Sequence, residues 1–98
     1  MQIDLRPYKV RVNGVEDDFD VRGTLGEFLW QHVFEGKWGV AEASEIEVLT
    51  DRLEALPSDA ESFEISDREH ELVMQAYGAT RGPQRILMPF LRRLIDAT

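Results

Sequence analysis

Residues Tyr8 to Val12 alternate apolar and charged side chains, and Asn13-Gly14 follows at once. A period of two is the signature of a strand with one buried face. Asn and Gly both tolerate positive φ, which a two-residue hairpin turn demands. The chain is therefore committed early to a β-hairpin, and every later element has to pack around it. Val15, Phe19 and Val21 mark the return strand, and the acidic run Glu16-Asp17-Asp18 leaves its register open to a bulge or a longer loop. Pro7, which has no N–H, suits the start of the first strand. A two-stranded hairpin alone is marginal in water, so a third strand or helix packing has to complete it. Phe63 and Ile65 alternate with Glu64 and supply the candidate third strand, added to the hairpin.

Helical signals fill the remainder. Thr24 with Glu27 three residues on forms a capping box, ahead of Leu25, Phe28, Leu29, His32 and Val33 at helical spacing. Gly36 and Gly39 end that helix in a turn, Gly36-Lys37-Trp38-Gly39. A second helix is predicted from about Ala41 to Leu56, with Ile46, Leu49, Leu53 and Leu56 on one face and Pro57 as its stop. Ser66 and Glu69 make another capping box, followed by the stripe Leu72, Val73, Ala76 and Tyr77, which Gly78 ends. Gly82-Pro83 opens a last helix carrying Leu87, Phe90, Leu91 and Leu94, and Pro89 inside it demands a kink or a restart. The predicted fold class is α+β, a single domain over residues 1–98. An N-terminal β-hairpin, with or without the short third strand, packs against about four α-helices.

Charge and residue usage narrow the function classes. The 98 residues carry a net charge of −8, densest in acid from Glu42 to Glu71. From Gly78 onward, Arg81, Arg85, Arg92 and Arg93 face a single acid, Asp96. An acidic body repels a phosphate backbone, so direct nucleic-acid binding is not expected. The absence of cysteine excludes a disulfide framework and every thiolate-held metal or cluster. No apolar run approaches the ~20 residues of a membrane span, and MQIDLRPYKV lacks a basic start before an apolar stretch. Cytoplasmic synthesis without membrane contact is the expectation.

No residue set declares a catalytic centre. Ser44, Ser58, Ser62 and Ser66 are available, but none sits in a strained nucleophile elbow, and Ser66 already caps a helix. His32 with Glu35, and Asp67 with His70, each lie at i, i+3, a spacing from which two helices could share a metal. His32 also fits an apolar helix face and His70 a charged run, and neither of those roles involves a metal. Gly36-Lys37-Trp38-Gly39 is too short for a phosphate-binding loop. No cofactor is expected, and the chain does not read as an enzyme.

Aromatic and basic placement points to contacts instead. Trp30 and Phe34 stand at i, i+4 beside the stripe of the first long helix, and Trp38 follows in the turn. That helix is either central to the core or presents a second face to a partner, where Trp is a favoured anchor. Arg92 and Arg93, with Arg85 one helix start earlier, flank the terminal apolar face. That face either completes the core or docks on an acidic surface of another subunit.

Ile3-Asp4-Leu5-x-Pro7-Tyr8, then the hairpin, then Phe19-Asp20-Val21-Arg22-x-Thr24-Leu25 resembles small structural and assembly-accessory proteins of bacteriophages. Glu69-x-Glu71-Leu72 and Arg92-Arg93-Leu94 are similar in style. The resemblance implies a virion-associated or assembly role and carries over no active-site residue. The expected function is a non-enzymatic protein–protein interaction module, made in the host cytoplasm and incorporated in the virion. Trp30, Phe34, Trp38, Arg85, Arg92 and Arg93 are its candidate interface, and copies of itself or other phage structural proteins are its partners. The alternative is an acidic inhibitor that occupies a host nucleic-acid-binding protein by charge mimicry.

Overall fold

The two ends of the chain hydrogen-bond to each other. In the computed structural model residues 1–34, 36 and 38–98 are described, with backbone alone for residues 32–34. Strand β1 (Gln2–Asp4) pairs antiparallel with β4 (Ser62–Glu64), matching Ile3 to Phe63. The last residue closes the other side of β1: Gln2 N–H donates to the Thr98 carbonyl at 2.7 Å. The sequence reading had no strand at Gln2–Asp4, and it added Phe63–Ile65 to the hairpin. The structure corrects both points. A three-residue strand shows almost no periodicity, and its register is set by burial of Ile3 and Phe63 in the core.

Strands β2 (Tyr8–Val12) and β3 (Val15–Phe19) form a separate two-stranded hairpin. Asn13 and Gly14 take φ of 52° and 78° at the turn, as a two-residue loop requires. The register is regular from Tyr8–Phe19 to Val12–Val15, with no bulge.

Helix α1 (Val21–Phe34) begins a turn before the predicted Thr24 cap. Asp20 caps it, its Oδ1 accepting from Gly23 N–H at 3.0 Å. A Cβ on residue 23 would lie 2.4 Å from Asp20 Oδ2, so glycine leaves room for the carboxylate. Val21, read as the end of the return strand, is instead the first buried residue of this helix.

Helix α2 (Val40–Ala55) buries Ile46, Leu49 and Leu53, as predicted. Its C-terminus is closed from α1: the Arg22 guanidinium donates to the carbonyls of Leu53, Glu54, Leu56 and Pro57 at 2.6–3.1 Å. Four carbonyls at a helix end have no partner within the helix, and a guanidinium fork reaches several of them at once. Helix α3 (Asp67–Ala79) starts on the predicted Ser66–Glu69 capping box. It runs one residue past Gly78.

The final helix does not open at Gly82-Pro83. A single 3-10 turn spans Arg85–Leu87, and α4 (Met88–Ile95) restarts with Pro89 in its first turn. Proline is tolerated there because the first N–H groups of a helix have no internal acceptor. Leu25, Leu29, Ile46, Leu72, Phe90 and Leu94 meet at the centre of one apolar cluster.

Candidate functional site

The hairpin departs most from the expected packing. Its predicted buried face, Tyr8-Val10-Val12, is buried only in part and only at its base. Tyr8, Val10 and Phe19 are half-buried, and every other strand residue is exposed. Strands of five residues reach about 17 Å, and the longest dimension of the molecule is 43 Å against 30 and 21 Å.

A short set of contacts fixes the base to the body. The Tyr8 and Phe19 rings stack at 4.7 Å, and Phe19 leans on buried Phe90 at 6.3 Å. The Tyr8 hydroxyl donates to the Ile86 carbonyl at 2.6 Å. Arg93 lies 5.2 Å over the Tyr8 ring. Burial pushes the Tyr8 phenol above its ordinary value of 10.0, against the pull of Arg93.

Cross-strand partners share a face. One face carries Tyr8–Phe19, Val10–Asp17 and Val12–Val15; the other carries Lys9–Asp18 and Arg11–Glu16. Along β2 the face that docks on the body continues beyond it as Val10 and Val12, while on β3 Asp17 interrupts it before Val15. It ends at Val12 and Val15, which are 48% and 66% exposed. On the opposite face Lys9 Nζ lies 2.6 Å from Asp18 Oδ1, and Asp18 raises the Lys9 value above 10.5. Strand β2 is basic and strand β3 acidic.

Among the described residues, those predicted for an interface are divided between the core and the surface. Trp38 is buried, and its indole N–H donates to the Leu29 carbonyl at 3.2 Å. Trp30 is half-buried against the core, and its N–H donates to buried Thr50 Oγ1 at 3.0 Å. The side chain of Phe34 lies outside the described residues. Arg93 is held inside the molecule by the Arg6 carbonyl, the Tyr8 ring and Asp4, whose Oδ1 is 3.8 Å away. Arg85 and Arg92 are exposed. Sequence spacing could not separate Arg92 from Arg93. The hairpin tip was missed because its valines alternate just as core valines do.

The metal reading meets a specific structural role for one of its ligands. His70 Nε2 lies 2.9 Å from the Leu94 carbonyl and ties α3 to α4. The side chains of His32 and Glu35 lie outside the described residues. Among the described residues no three His, Asp or Glu side chains converge.

A groove between α1 and the segment after α3 is lined by Thr24, Phe28, Thr80, Arg81, Leu87 and Phe90. Its Thr80 hydroxyl donates to the Ala76 carbonyl, so it is occupied by helix termination. Among the described residues no helix is long and apolar enough to cross a membrane. Comparison with family models, with curated proteins and with solved structures found no match.

Proposed function

We propose that this protein is a non-enzymatic interaction module that self-associates through the β2–β3 hairpin, used as a docking arm. The observation that supports this reading is the pair of exposed valines, Val12 and Val15, that ends the hairpin face leaving the body through Val10. Apolar tips in a polar surround are typical of contact sites. The resemblance to small bacteriophage proteins extends the proposal to a structural or accessory role in virion assembly.

Charge mimicry is the rival reading, and it draws on the acidic stretch from Glu42 to Glu71. Within that stretch Arg68 pairs with Glu45 and Glu71, and Arg52 pairs with Glu69. These cations interrupt the continuous negative surface a nucleic-acid mimic needs.

Light scattering on a sizing column tests the proposal, with wild type compared to Val12→Asp/Val15→Asp. Wild type is expected to gain mass with concentration, and the double variant to remain a monomer of unchanged fold. Equal mass for both proteins at every concentration refutes the docking arm.

A further inference from the structure

Most of the arginines are engaged within the molecule. Arg6, Arg52, Arg68 and Arg93 pair with carboxylates, and Arg22 and Arg81 donate to backbone carbonyls. Among the described residues Arg11, Arg85 and Arg92 have no such partner. Two of these three stand beside exposed apolar side chains. Met88, Arg92 and Ile95 recur at i, i+4, i+7 and so share the outward side of α4, away from buried Phe90 and Leu94. Arg85 precedes Met88 by three residues, and all four side chains are exposed. Val40 and Val48 on α2 are exposed as well, but Glu47 and Asp51 lie on their side of that helix.

The hairpin tip complements the α4 face. Beyond its anchor the docking face of the hairpin carries Val12 and Val15, with Asp17 beside them. We infer, on the docking-arm reading, that the tip of one copy seats on the exposed face of α4 in a second copy. Val12 and Val15 cover Met88 and Ile95, and Asp17 meets Arg92. Charge selects this face over the valines of α2, where Glu47 and Asp51 would repel Asp17. The valine pair stands about 14 Å along the strands from the Tyr8–Phe19 anchor. A convex helix meets it beyond the donor's docked base, so the second body lies past the tip. The hairpin's own anchor uses Ile86, Phe90 and Arg93, none of which belongs to the receiving face. A copy therefore holds its own arm and receives another at once. The giving and receiving surfaces differ, so the contact is heterologous.

Exchanging the two charges tests the pairing. Asp17 and Arg92 are both exposed, so Asp17→Arg and Arg92→Glu spare the core. Circular dichroism checks the fold of each variant, and light scattering against concentration gives its association midpoint. Each reversal alone is expected to weaken association about 2- to 30-fold, because the attraction of an exposed pair is lost and a repulsion of similar size replaces it. Asp17→Arg/Arg92→Glu in one chain is expected to return to within about 3-fold of wild type. Met88→Asp/Ile95→Asp removes the apolar part of the seat and is expected to be monomeric where wild type assembles.

If Arg92→Glu and Met88→Asp/Ile95→Asp assemble like wild type and Val12→Asp/Val15→Asp does not, the α4 seat falls and the docking arm stands. A combined charge exchange no tighter than the single reversals overturns the pairing of Asp17 with Arg92. A wild type that is monomeric at every concentration removes both the seat and the arm.

Discussion

Replacing Tyr8 by alanine should release the hairpin while leaving the body folded. Three contacts go with the side chain. The Phe19 stack at 4.7 Å is worth about 0.5–1.5 kcal/mol beyond burial. The Arg93 contact at 5.2 Å contributes about 0.5–1 kcal/mol at a partly exposed site. The hydroxyl bond to the Ile86 carbonyl adds about 0.5–1.5 kcal/mol. The anchor as a whole therefore supplies about 1.5–4 kcal/mol to a two-stranded ribbon that is marginal on its own. Hydrogen exchange reads the loss directly. The laddered amides of Val10, Val12 and Asp17 should exchange about 10- to 700-fold faster, since each 1.4 kcal/mol is a factor of ten. Tyr8→Phe, which loses the hydroxyl alone, should accelerate them about 5-fold. The amides of Leu49, Leu72 and Leu94 should be unchanged in both variants. Equal acceleration in hairpin and core would show that the hairpin is part of the core and refute its description as an arm.

Two further outcomes follow from polar contacts at the base of the fold. Arg22→Met keeps the aliphatic stem but leaves the α2 carbonyls uncapped, and should lower unfolding free energy by about 1–3 kcal/mol in urea titration; a loss below about 0.5 kcal/mol would show that water replaces the guanidinium without cost. Hydrogen bonding to the Arg6 side chain, against the opposing effect of burial, holds the Asp4 carboxyl below its ordinary value of 3.8, with Arg93 adding to the pull. A carboxylate whose value is depressed in the fold contributes stability above its unfolded value, and that contribution disappears as pH falls through the folded value. Asp4→Asn should therefore be less stable than wild type near neutrality and lose less on acidification below about pH 4, read from melting temperatures; parallel pH profiles would refute the assignment.

The sequence disclosed those features whose causes are local. Ser66 and Glu69 cap each other within one turn, Asn13-Gly14 sets the hairpin, and the apolar period of α2 sets its buried face. Where two local signals competed, the earlier one along the chain won in the structure. Thr24 and Glu27 spell a capping box, but Asp20 caps α1 one turn earlier because Gly23 admits its carboxylate. The pattern Asp20-x-x-Gly23 was the available sign. Long-range pairings left no local trace: β1 with β4, Thr98 with Gln2, and Arg22 with the end of α2 join residues 31 or more positions apart. The candidate site was hidden for a related reason. Alternation marks which residues share a face, but whether a body lies beneath that face depends on the length of the hairpin and the place of its anchor. Trp30 and Trp38 illustrate the converse, since both indole N–H groups find acceptors inside the molecule.

Mass measured by light scattering against protein concentration, with wild type beside Val12→Asp/Val15→Asp, tests the central claim most directly. Two bodies of net charge −8 repel, so the measurement belongs near 0.15 M salt, where the Debye length of about 8 Å screens the bodies more than strands in contact. Wild type should gain mass as protein concentration rises, while Val12→Asp/Val15→Asp stays a monomer. A wild type that keeps the monomer mass over the whole range would contradict self-association through the hairpin.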